Sequence, residues 1–368
     1  MEAKAAMKLT PEGGVEVHTI QVDEPGPGEV RVQLHACGLC HTDQSVLEGS
    51  LMFGGPIVLG HEGAGIVESV GAGVKSLTTG DHVVMTCTAF CGRCKWCVEG
   101  QYSQCADMPL NAARNGITRT PFHLDNTDLS AFASVGCLTE YTVVQEQSAI
   151  KIPKDIPLPE AALLGCGVFT GVGAVWNKAK VTPGSTVAVW GAGGVGLNVI
   201  QGCLISGART IISIDRIGQK AEFAKEFGAT HSIDGSTTEA VSEVMRLTDG
   251  VGVDYSFEAI GNAGAMAEAY TAARQGGICT IVGVAPFTEI LELPAGLIAI
   301  QEKTLQGTFY GGGAALRDYP RLIELYKQGR LKLNPLITTT YDIEDSEQAY
   351  ADMAAGRQAG RGVVLFQN

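Results

Sequence analysis

The sequence is short of positive charge. Of its 368 residues, 26 are lysine or arginine and 39 are aspartate or glutamate, which gives a formal net charge of −13. A negatively charged surface repels phosphate backbones and anionic lipid headgroups. We therefore expect neither nucleic acid nor a membrane surface among the partners of this protein.

The sequence also lacks an apolar segment of the kind that directs secretion or spans a bilayer. Residues 1–14 contain no apolar run, so we expect no secretory signal. The stretch 181–208 has no charged residue, but it contains Pro183 and seven glycines and is interpreted as a strand, a turn and a helix. We expect no membrane span and a cytoplasmic location.

An even set of cysteines is likewise absent. The total is 11, which argues against a complete disulfide framework. In a reducing compartment, clustered cysteines more often bind metal or take part in catalysis than form cross-links. Hydrophobic residues make up 45% of the chain and charged residues 18%, values typical of a globular protein, and the length suggests two domains or more.

Two patterns divide the chain near Gly167. Before it, short apolar runs broken by glycine and proline predict a β-rich region, with strands at 15–22, 29–36, 63–70 and 82–86. Residues 106–134 show no periodicity and are interpreted as a long functional loop or interface element. After it, strands alternate with helices as far as about residue 309, which predicts an α/β fold with a parallel sheet covered on both faces. Amphipathic helices at 316–328 and 345–355 and a strand at 362–366 follow.

A nucleotide-binding turn is predicted where the apolar run Val187–Trp190 meets GAGGVG. Glycines at such a turn permit close approach of the backbone to a pyrophosphate, and the following helix offers N–H donors. The residues of this turn are Gly191, Gly193, Gly194, Val195 and Gly196. Asp215 ends the next apolar run, where a carboxylate accepts ribose hydroxyls and repels a 2′-phosphate, which favours NAD over NADP. Arg216 either stacks on adenine or is an ordinary solvated arginine.

Four cysteines lie within fifteen residues and predict a tetrahedral structural zinc site. They are Cys91, Cys94, Cys97 and Cys105. A second, dispersed set consists of Cys40, His61, Glu62 and Cys166. Two thiolates and an imidazole form a three-ligand site that leaves a position for substrate, but spacing alone rather favours a structural histidine and buried thiols.

The segment GHEGAGIVESVGAGV, containing His61 and Glu62, resembles the motif of zinc-dependent medium-chain alcohol dehydrogenases, and the order of the other motifs is similar to that family along the whole chain. The resemblance implies a GroES-like β-rich catalytic domain over 1–167 and 310–368, with a structural zinc lobe near 91–105. It implies a Rossmann domain over 168–309 that binds NAD. Two zinc ions per subunit are implied, one catalytic and one structural.

The resemblance also implies roles for individual residues. Cys40, His61 and Cys166 would hold a catalytic zinc that acts as a Lewis acid on the alcohol. Asp43 would orient the imidazole of His61, and Glu62 would lie behind the metal. Thr42 would accept the alcohol proton. Ser45 stands where better-known members have a histidine that completes the proton relay, so the last relay step is expected to differ.

Further cofactor contacts implied by the resemblance are His41, Thr170, Val195, Lys220, Val284 and Arg361. The implied substrate channel is lined by Leu51, Cys87, Leu110, Phe132, Val284 and Phe309. Such an apolar channel suits a hydrophobic primary alcohol that is aromatic, allylic or medium-chain.

Two alternatives stay open at this point. One is a formaldehyde dehydrogenase that acts on an S-hydroxymethyl thiol adduct, although Leu51 and Pro109 stand where glutathione-dependent relatives have an aspartate and an arginine. The other is a zinc- and NAD-binding sensor or structural protein without catalytic activity. A homodimer joined near residues 285–310 is expected in either case.

Overall fold

The structure, a computed structural model, describes residues 1–51, 55–108 and 120–367. The chain forms two units. Unit 1 comprises Met1–Cys166, Ala314–Glu324 and Leu333–Asn368, and unit 2 comprises Gly167–Gly313 and Leu325–Lys332.

The described residues contain eighteen strands. In chain order they are β1 (Glu2–Lys8), β2 (Glu16–Val22), β3 (Glu29–Gly38), β4 (Ile57–Val58), β5 (Glu62–Val70), β6 (His82–Met85), β7 (Phe122–Leu124), β8 (Thr127–Ala131), β9 (Tyr141–Gln145), β10 (Ala149–Lys151), β11 (Thr186–Trp190), β12 (Thr210–Asp215), β13 (His231–Asp234), β14 (Val253–Glu258), β15 (Ala273–Ile281), β16 (Thr304–Gly307), β17 (Ile337–Tyr341) and β18 (Arg361–Leu365).

The same residues contain eleven α-helices. They are α1 (His41–Leu47), α2 (Lys95–Val98), α3 (Leu158–Ala162), α4 (Gly167–Gly173), α5 (Gly194–Ile205), α6 (Gly218–Phe223), α7 (Ala240–Leu247), α8 (Ala263–Ala272), α9 (Ala295–Gln301), α10 (Ala315–Lys327) and α11 (Ser346–Ala354). No single helix among the described residues is long and apolar enough to cross a membrane, and one bent pair of buried helices, within 158–179, passes that test only when joined.

Unit 1 is the β-rich unit. Five strands close a barrel in the order β1-β2-β7-β8-β4, and its interior is filled by apolar side chains that include Ile20, Phe122 and Leu129. A second sheet has the order β10-β6-β5-β3-β18-β17, with β9 also pairing with β3. Because β18 comes from the end of the chain and β3 from its beginning, this sheet joins both terminal segments of the unit.

The expectation of an irregular segment over residues 106–134 is wrong from Phe122 onward. There β7 and β8 pair as an antiparallel hairpin, and both strands belong to the barrel. The two-residue turn between them begins with Asp125, whose φ of 52° lies in the left-handed region that aspartate tolerates. The sequence signal was the Asp125-Asn126 pair between two short runs.

Unit 2 has the predicted parallel sheet. Its strand order is β13-β12-β11-β14-β15-β16, and every neighbouring pair is parallel. This is the doubly wound order, in which the chain starts in the middle of the sheet and runs first to one edge and then to the other. The α/β fold class and the Rossmann arrangement of this unit are confirmed.

Local sequence explains where these elements begin. Strand β11 has the run TVAVW, four of whose residues are buried, which is typical of a central parallel strand. Helix α7 begins after Glu239, whose carboxylate accepts hydrogen bonds from the N–H groups of Val241 and Ser242. Helix α8 begins after Asn262, whose side chain accepts from Ala265 N. These side chains satisfy N–H groups that have no partner within the helix.

Candidate active site

Four side chains from separate parts of unit 1 meet in its interior. One ligand atom from each of Cys40, His61, Glu62 and Cys166 lies within 4.8 Å of the others, and all four residues are buried. Cys40 is the extended residue directly before α1, His61 directly precedes β5, and Glu62 is the first residue of β5. Cys166 follows a short helical turn at 163–165. The dispersed set seen in the sequence is therefore one cluster.

The imidazole of His61 is held from one side. Asp43 is fully buried on α1, and its Oδ1 accepts a hydrogen bond of 2.7 Å from Gly60 N. Its Oδ2 lies 3.0 Å from His61 Nδ1. His61 Nε2 is buried and has no hydrogen-bond partner among the described residues. An imidazole with Nδ1 against a carboxylate and Nε2 left for a ligand is the usual arrangement of a metal-bound histidine.

The thiols of this cluster are electrostatically unlike one another. The hydrogen bond from Cys166, aided by His61, holds the pKa of Cys40 well below its ordinary value, although burial opposes this. The same hydrogen bond and burial raise the pKa of Cys166. Burial lowers the pKa of His61, but the charges of Asp43 and Cys40 outweigh it and raise the pKa well above its ordinary value. The cluster thus favours a thiolate at Cys40, the form that binds a metal. The residues present fit a zinc ion.

A buried ion pair includes one member of the cluster. Glu62 and Arg361 are both buried, and the guanidinium of Arg361 contacts Glu62 Oε1. Burial raises the pKa of Glu62 to about 7, and the charge of Arg361 opposes that rise. The implied contact of Arg361 with a pyrophosphate stays a prediction, since the described contact of its guanidinium is with Glu62.

Helix α1 carries the residues predicted for proton transfer. Thr42 Oγ1 lies 3.5 Å from Cys40 Sγ, within reach of a group bound at the cluster. Ser45 Oγ donates a hydrogen bond of 3.0 Å to His41 O within the same helix. The side chain of His41 is exposed. The relay role of Ser45 stays a prediction, because its hydroxyl already has this backbone partner.

The second cluster is the lobe of four cysteines. The sulfur atoms of Cys91, Cys94, Cys97 and Cys105 lie within 4.8 Å of one another. Cys94 Sγ is 3.6 Å from Cys97 Sγ and 3.9 Å from Cys105 Sγ. Backbone N–H groups point at the sulfurs, from Cys91 to Cys105 Sγ and from Cys94 to Cys91 Sγ, at 3.3 Å in both cases. N–H donors stabilise thiolates, so this lobe also fits zinc.

The pKa values in the lobe differ with burial. A hydrogen bond from the backbone of Ala106 lowers the pKa of Cys94 to about 6. Burial raises the pKa of Cys105 to about 12. Cys87, close in sequence, does not join this lobe: it is buried with its Sγ 3.9 Å from His61 O.

The glycine turn of unit 2 has the geometry of a phosphate-binding loop. Gly191 has a φ of +94°, and a Cβ on Gly196 would lie 1.7 Å from Gly191 O, so only glycine allows helix α5 to begin so close to the loop. A Cβ on Gly193 would meet no atom within 4 Å. The loop is therefore closely packed at Gly191 and Gly196 and has open space at Gly193, as a bound pyrophosphate requires.

Asp215 is attached to this loop. Its Oδ2 accepts a hydrogen bond of 2.8 Å from Ala192 N, and its Oδ1 accepts one of 2.8 Å from Ile217 N. Burial lowers the pKa of Lys220, and the charge of Asp215 opposes that change. The side chain of Arg216 is exposed.

The remaining predicted contacts lie in both units. In unit 1, Phe132 is 3% exposed and its ring meets the ring of His61 edge-on at 5.2 Å, while Leu51 is half-buried. In unit 2, Thr170 is buried and Val195 is half-buried, whereas Val284 and Phe309 are exposed. Leu110 and Pro109 lie outside the described residues.

Comparison with known families decides what these sites belong to. Residues 26–154 match the family described as the alcohol dehydrogenase GroES-like domain, and residues 194–328 match the family described as zinc-binding dehydrogenase. The chain belongs to the zinc-dependent medium-chain alcohol dehydrogenases. The resemblance seen in the sequence is confirmed, and so is the GroES-like assignment of the β-rich unit. The protein is a zinc-containing alcohol dehydrogenase that uses a nicotinamide cofactor.

Two relatives match almost the whole chain of this alcohol dehydrogenase. An NDMA-dependent alcohol dehydrogenase from Amycolatopsis methanolica is 35% identical over 370 residues, covering 99% of both chains. An S-(hydroxymethyl)glutathione dehydrogenase from Paracoccus denitrificans is 36% identical over 379 residues, covering 100% of both chains. The family is thus shared by relatives with different named substrates.

Solved structures of this family are similar to the protein over the whole chain. Benzyl alcohol dehydrogenase from Acinetobacter calcoaceticus superimposes with a TM-score of 0.90 at 29% identity, covering 100% of both chains. A putative zinc-binding dehydrogenase from Sinorhizobium meliloti 1021, bound to NADP, superimposes with a TM-score of 0.83 at 25% identity, covering 99% of both chains.

Proposed function

We propose that this enzyme oxidises a hydrophobic primary alcohol, either aromatic, allylic or medium-chain, to its aldehyde and also catalyses the reverse reaction. The observation that carries this proposal is the contact of the buried Phe132 ring with His61, since it gives the cluster an apolar wall. The predicted lining residues Leu51 and Cys87 of the same unit are also uncharged. The similarity to a benzyl alcohol dehydrogenase supports an aromatic substrate.

Each of the two clusters is assigned one zinc ion. Cys40, His61 and Cys166 would hold the catalytic ion, and the lobe of four cysteines would hold the structural one. Zinc in the first site supplies Lewis acidity, which lowers the pKa of a bound alcohol. Asp43 orients the imidazole of His61 and stabilises its ligand tautomer, while Glu62 keeps a carboxylate next to the ligand set.

Proton transfer is assigned to α1. The hydroxyl of Thr42 accepts the alcohol proton and passes it outward, and Ser45 replaces a histidine at the end of that path. We expect Ser45→His to change the acidic limb of the pH–rate profile, because an imidazole titrates in this range and a hydroxyl does not. An unchanged profile would show that proton exit is not limiting.

NAD is proposed as the cofactor because the carboxylate of Asp215 is held at the edge of the glycine loop, where it disfavours a 2′-phosphate. Because the similar structure from Sinorhizobium meliloti 1021 is bound to NADP, the affinities of this enzyme for NAD and for NADP test the proposal. The same affinities, measured for single variants, test the proposed cofactor contacts of His41, Thr170, Val195, Arg216, Lys220, Val284 and Arg361. The predicted domain limits 1–167, 168–309 and 310–368 differ from the two compact units, because Gly167, residues 310–313 and Leu325–Lys332 belong to unit 2.

A second candidate function is the oxidation of a formaldehyde–thiol adduct, and one observation favours it: the S-(hydroxymethyl)glutathione dehydrogenase relative covers the whole chain. The uncharged Leu51 argues against glutathione as that thiol. The non-catalytic alternative is set aside, because the chain belongs to an enzyme family and has both complete ligand clusters.

The discriminating experiment is NAD reduction with benzyl, cinnamyl, terpenoid and aliphatic alcohols, and with formaldehyde in the presence and absence of low-molecular-weight thiols. We expect turnover of the first two alcohols without thiol. Cys166→Ser should abolish it, whereas Cys203→Ser, a buried thiol of unit 2 outside both clusters, should not. Activity on formaldehyde that appears only with added thiol, without turnover of any alcohol, would establish the second candidate instead.

We also propose a homodimer formed through unit 2. Strand β16 ends the sheet, and its outer edge pairs with no strand in the part of the chain that the structure describes. The chain segment between β15 and β16 carries Phe287, Ile290 and Ile300, which are 84%, 79% and 70% exposed. An open edge strand that follows an exposed apolar segment suits antiparallel pairing with a second copy around a two-fold axis.

Sedimentation velocity tests the dimer. Wild type should sediment as a dimer and Ile300→Glu as a monomer. Val251→Glu is the control, because Val251 is similarly exposed, at 61%, but follows α7 and lies outside the segment between β15 and β16. A monomeric wild type, or a dimeric Ile300→Glu protein, would contradict this interface.

A further inference from the structure

Glu258 is a fully buried carboxylate of unit 2 to which the mechanism above assigns no role. It is the last residue of β14, and it pairs with Trp190, the last residue of β11 before the glycine loop. Ala259 N donates a hydrogen bond of 2.8 Å to Trp190 O. Glu258 therefore stands at the carboxyl edge of the sheet, where doubly wound folds bind their ligands.

The side chain of Glu258 binds the turn that follows its own strand. Its Oε1 accepts hydrogen bonds from three successive backbone N–H groups, those of Ile260 at 2.8 Å, Gly261 at 2.6 Å and Asn262 at 3.4 Å. Converging backbone N–H groups form a concave anion site. Here the anion is part of the chain, and it sets the conformation of residues 260–262.

Glu258 also binds the neighbouring segment after β15. Its carbonyl accepts hydrogen bonds from Val282 N at 2.8 Å and from Gly283 N at 3.0 Å. A Cβ on Gly283 would lie 2.1 Å from Gly261 N and 2.8 Å from Glu258 Oε2. The two segments are therefore in direct contact through glycines, with the carboxylate between them.

Both segments lie against the predicted cofactor positions. A Cβ on Gly191 of the glycine loop would lie 2.7 Å from Ile260 Cγ1. A Cβ on Gly261 would lie 2.4 Å from Val284 O, and Val284 is a proposed nicotinamide-side contact. A shift of the turn 260–262 would therefore move one wall of the glycine loop and the backbone of Val284 together.

We propose that Glu258 is a positioning residue for the dinucleotide, because its carboxylate fixes the turn 260–262 and through it the segment 282–284 at the cofactor edge of the sheet. This inference rests on the proposed NAD linkage. For this role the side chain must be long enough for its oxygen to accept from the three N–H groups. Its negative charge is not required, since amide oxygens also accept hydrogen bonds.

Two substitutions separate reach from charge. Glu258→Gln keeps the length of the side chain and an acceptor oxygen but removes the charge. Glu258→Asp keeps the charge but withdraws the oxygen by one methylene group. If reach matters, the aspartate variant loses NADH affinity by about tenfold, the range expected when buried N–H groups lose their acceptor, and the glutamine variant stays within about threefold of wild type.

Asp254 supplies a matched control on the same strand. Its Oδ2 accepts hydrogen bonds from Thr186 N at 2.7 Å and Thr186 Oγ1 at 2.9 Å, and its Oδ1 accepts from Arg274 Nε at 2.7 Å. It lies near the amino end of β14, away from the cofactor edge. Asp254→Asn should lower the melting temperature and leave the NADH affinity within about twofold, as expected for independent sites.

The experiment measures the NADH dissociation constant by fluorescence titration and the melting temperature for wild type and all three variants. A weaker NADH affinity in Glu258→Asp than in Glu258→Gln, with affinity retained in Asp254→Asn, supports the inference. Equal NADH affinity in the two Glu258 variants, or a loss in Asp254→Asn as large as that in Glu258→Asp, overturns it. A wild type that binds no NADH overturns the NAD proposal and this inference together, whereas failure with every alcohol leaves the binding test intact.

Discussion

The turn before His61 offers a prediction whose size follows from the structure. Gly60 has a φ of +84°, and a Cβ there would lie 2.5 Å from Leu138 N and 2.9 Å from Cys37 Sγ. Gly73, also in unit 1, has a φ of +85°, and a Cβ there would meet no atom within 4 Å. Gly60→Ala and Gly73→Ala therefore share the backbone strain, and only the former adds overlap with buried atoms.

The two costs differ accordingly. A left-handed conformation costs an alanine about 1 kcal/mol relative to glycine. Overlap in a packed interior adds about 2 kcal/mol, because Leu138 N belongs to the backbone and cannot rotate away. For a unit of this size each kcal/mol lowers the melting temperature by about 2–4 °C. We expect a fall of about 3 °C for Gly73→Ala and about 9 °C for Gly60→Ala.

The Gly60 substitution should also affect the metal. Gly60 N donates the hydrogen bond that holds Asp43 Oδ1, and the other oxygen of Asp43 faces His61 Nδ1. Movement of this turn weakens the orientation of the imidazole, so Gly60→Ala should lower the zinc content measured by atomic absorption, whereas Gly73→Ala should not. Calorimetry gives both melting temperatures. Equal falls in the two variants, with equal zinc content, would refute the reasoning.

Three further predictions concern single side chains. Asp215→Ser should raise the ratio of kcat/KM with NADP to that with NAD by at least about tenfold, because it removes a negative charge near the 2′ position; an unchanged steady-state ratio would contradict this. Cys97→Ser should reduce bound zinc from two ions per chain to one, and metal analysis showing two would exclude the structural site. Burial lowers the pKa of His123, but hydrogen bonds to Asp128 and Asp23 outweigh it and raise the pKa. A histidine whose pKa is raised by folding stabilises the folded state at any pH below its pKa in the unfolded chain, and this contribution disappears above its pKa in the folded protein. His123→Gln should therefore lower the free energy of unfolding by about 0.5 kcal/mol near pH 5.5 and leave it unchanged above the folded-state pKa, as urea unfolding at several pH values would show.

The short-range features were predictable from the sequence because their atoms are close along the chain. The sulfurs of Cys91, Cys94, Cys97 and Cys105 are brought together by one short helix and the turns around it, so their spacing alone indicates a metal site. Strand β12 ends at Asp215, the residue that the apolar run itself marks. These elements depend on local backbone preferences that a few residues settle.

Other features depended on pairing between distant segments. The strand pair β7–β8 was missed, since its short runs are strands only when the barrel pairs with them. Glu258 was missed as well, because a glutamate at the end of an apolar run has no meaning until the turn 260–262 folds around it. The Asp125-Asn126 pair was the available signal for the hairpin, and the glycine that follows Glu258 by three residues was the available signal for the turn.

The fold class, the cysteine lobe, the glycine loop and, by resemblance, the family could be predicted from the amino-acid sequence. The folded chain was needed to show that Cys40, His61 and Cys166 share one site, that Asp43 faces the imidazole, and that Arg361 contacts Glu62. Sheet register accounts for the last of these contacts, because β3 pairs with β5 and with β18 and so joins residues from both ends of the chain. The spacing of residues along the sequence does not indicate such pairing between distant segments. Because the paired residues are buried, their contacts strongly affect the charges and pKa values of the site.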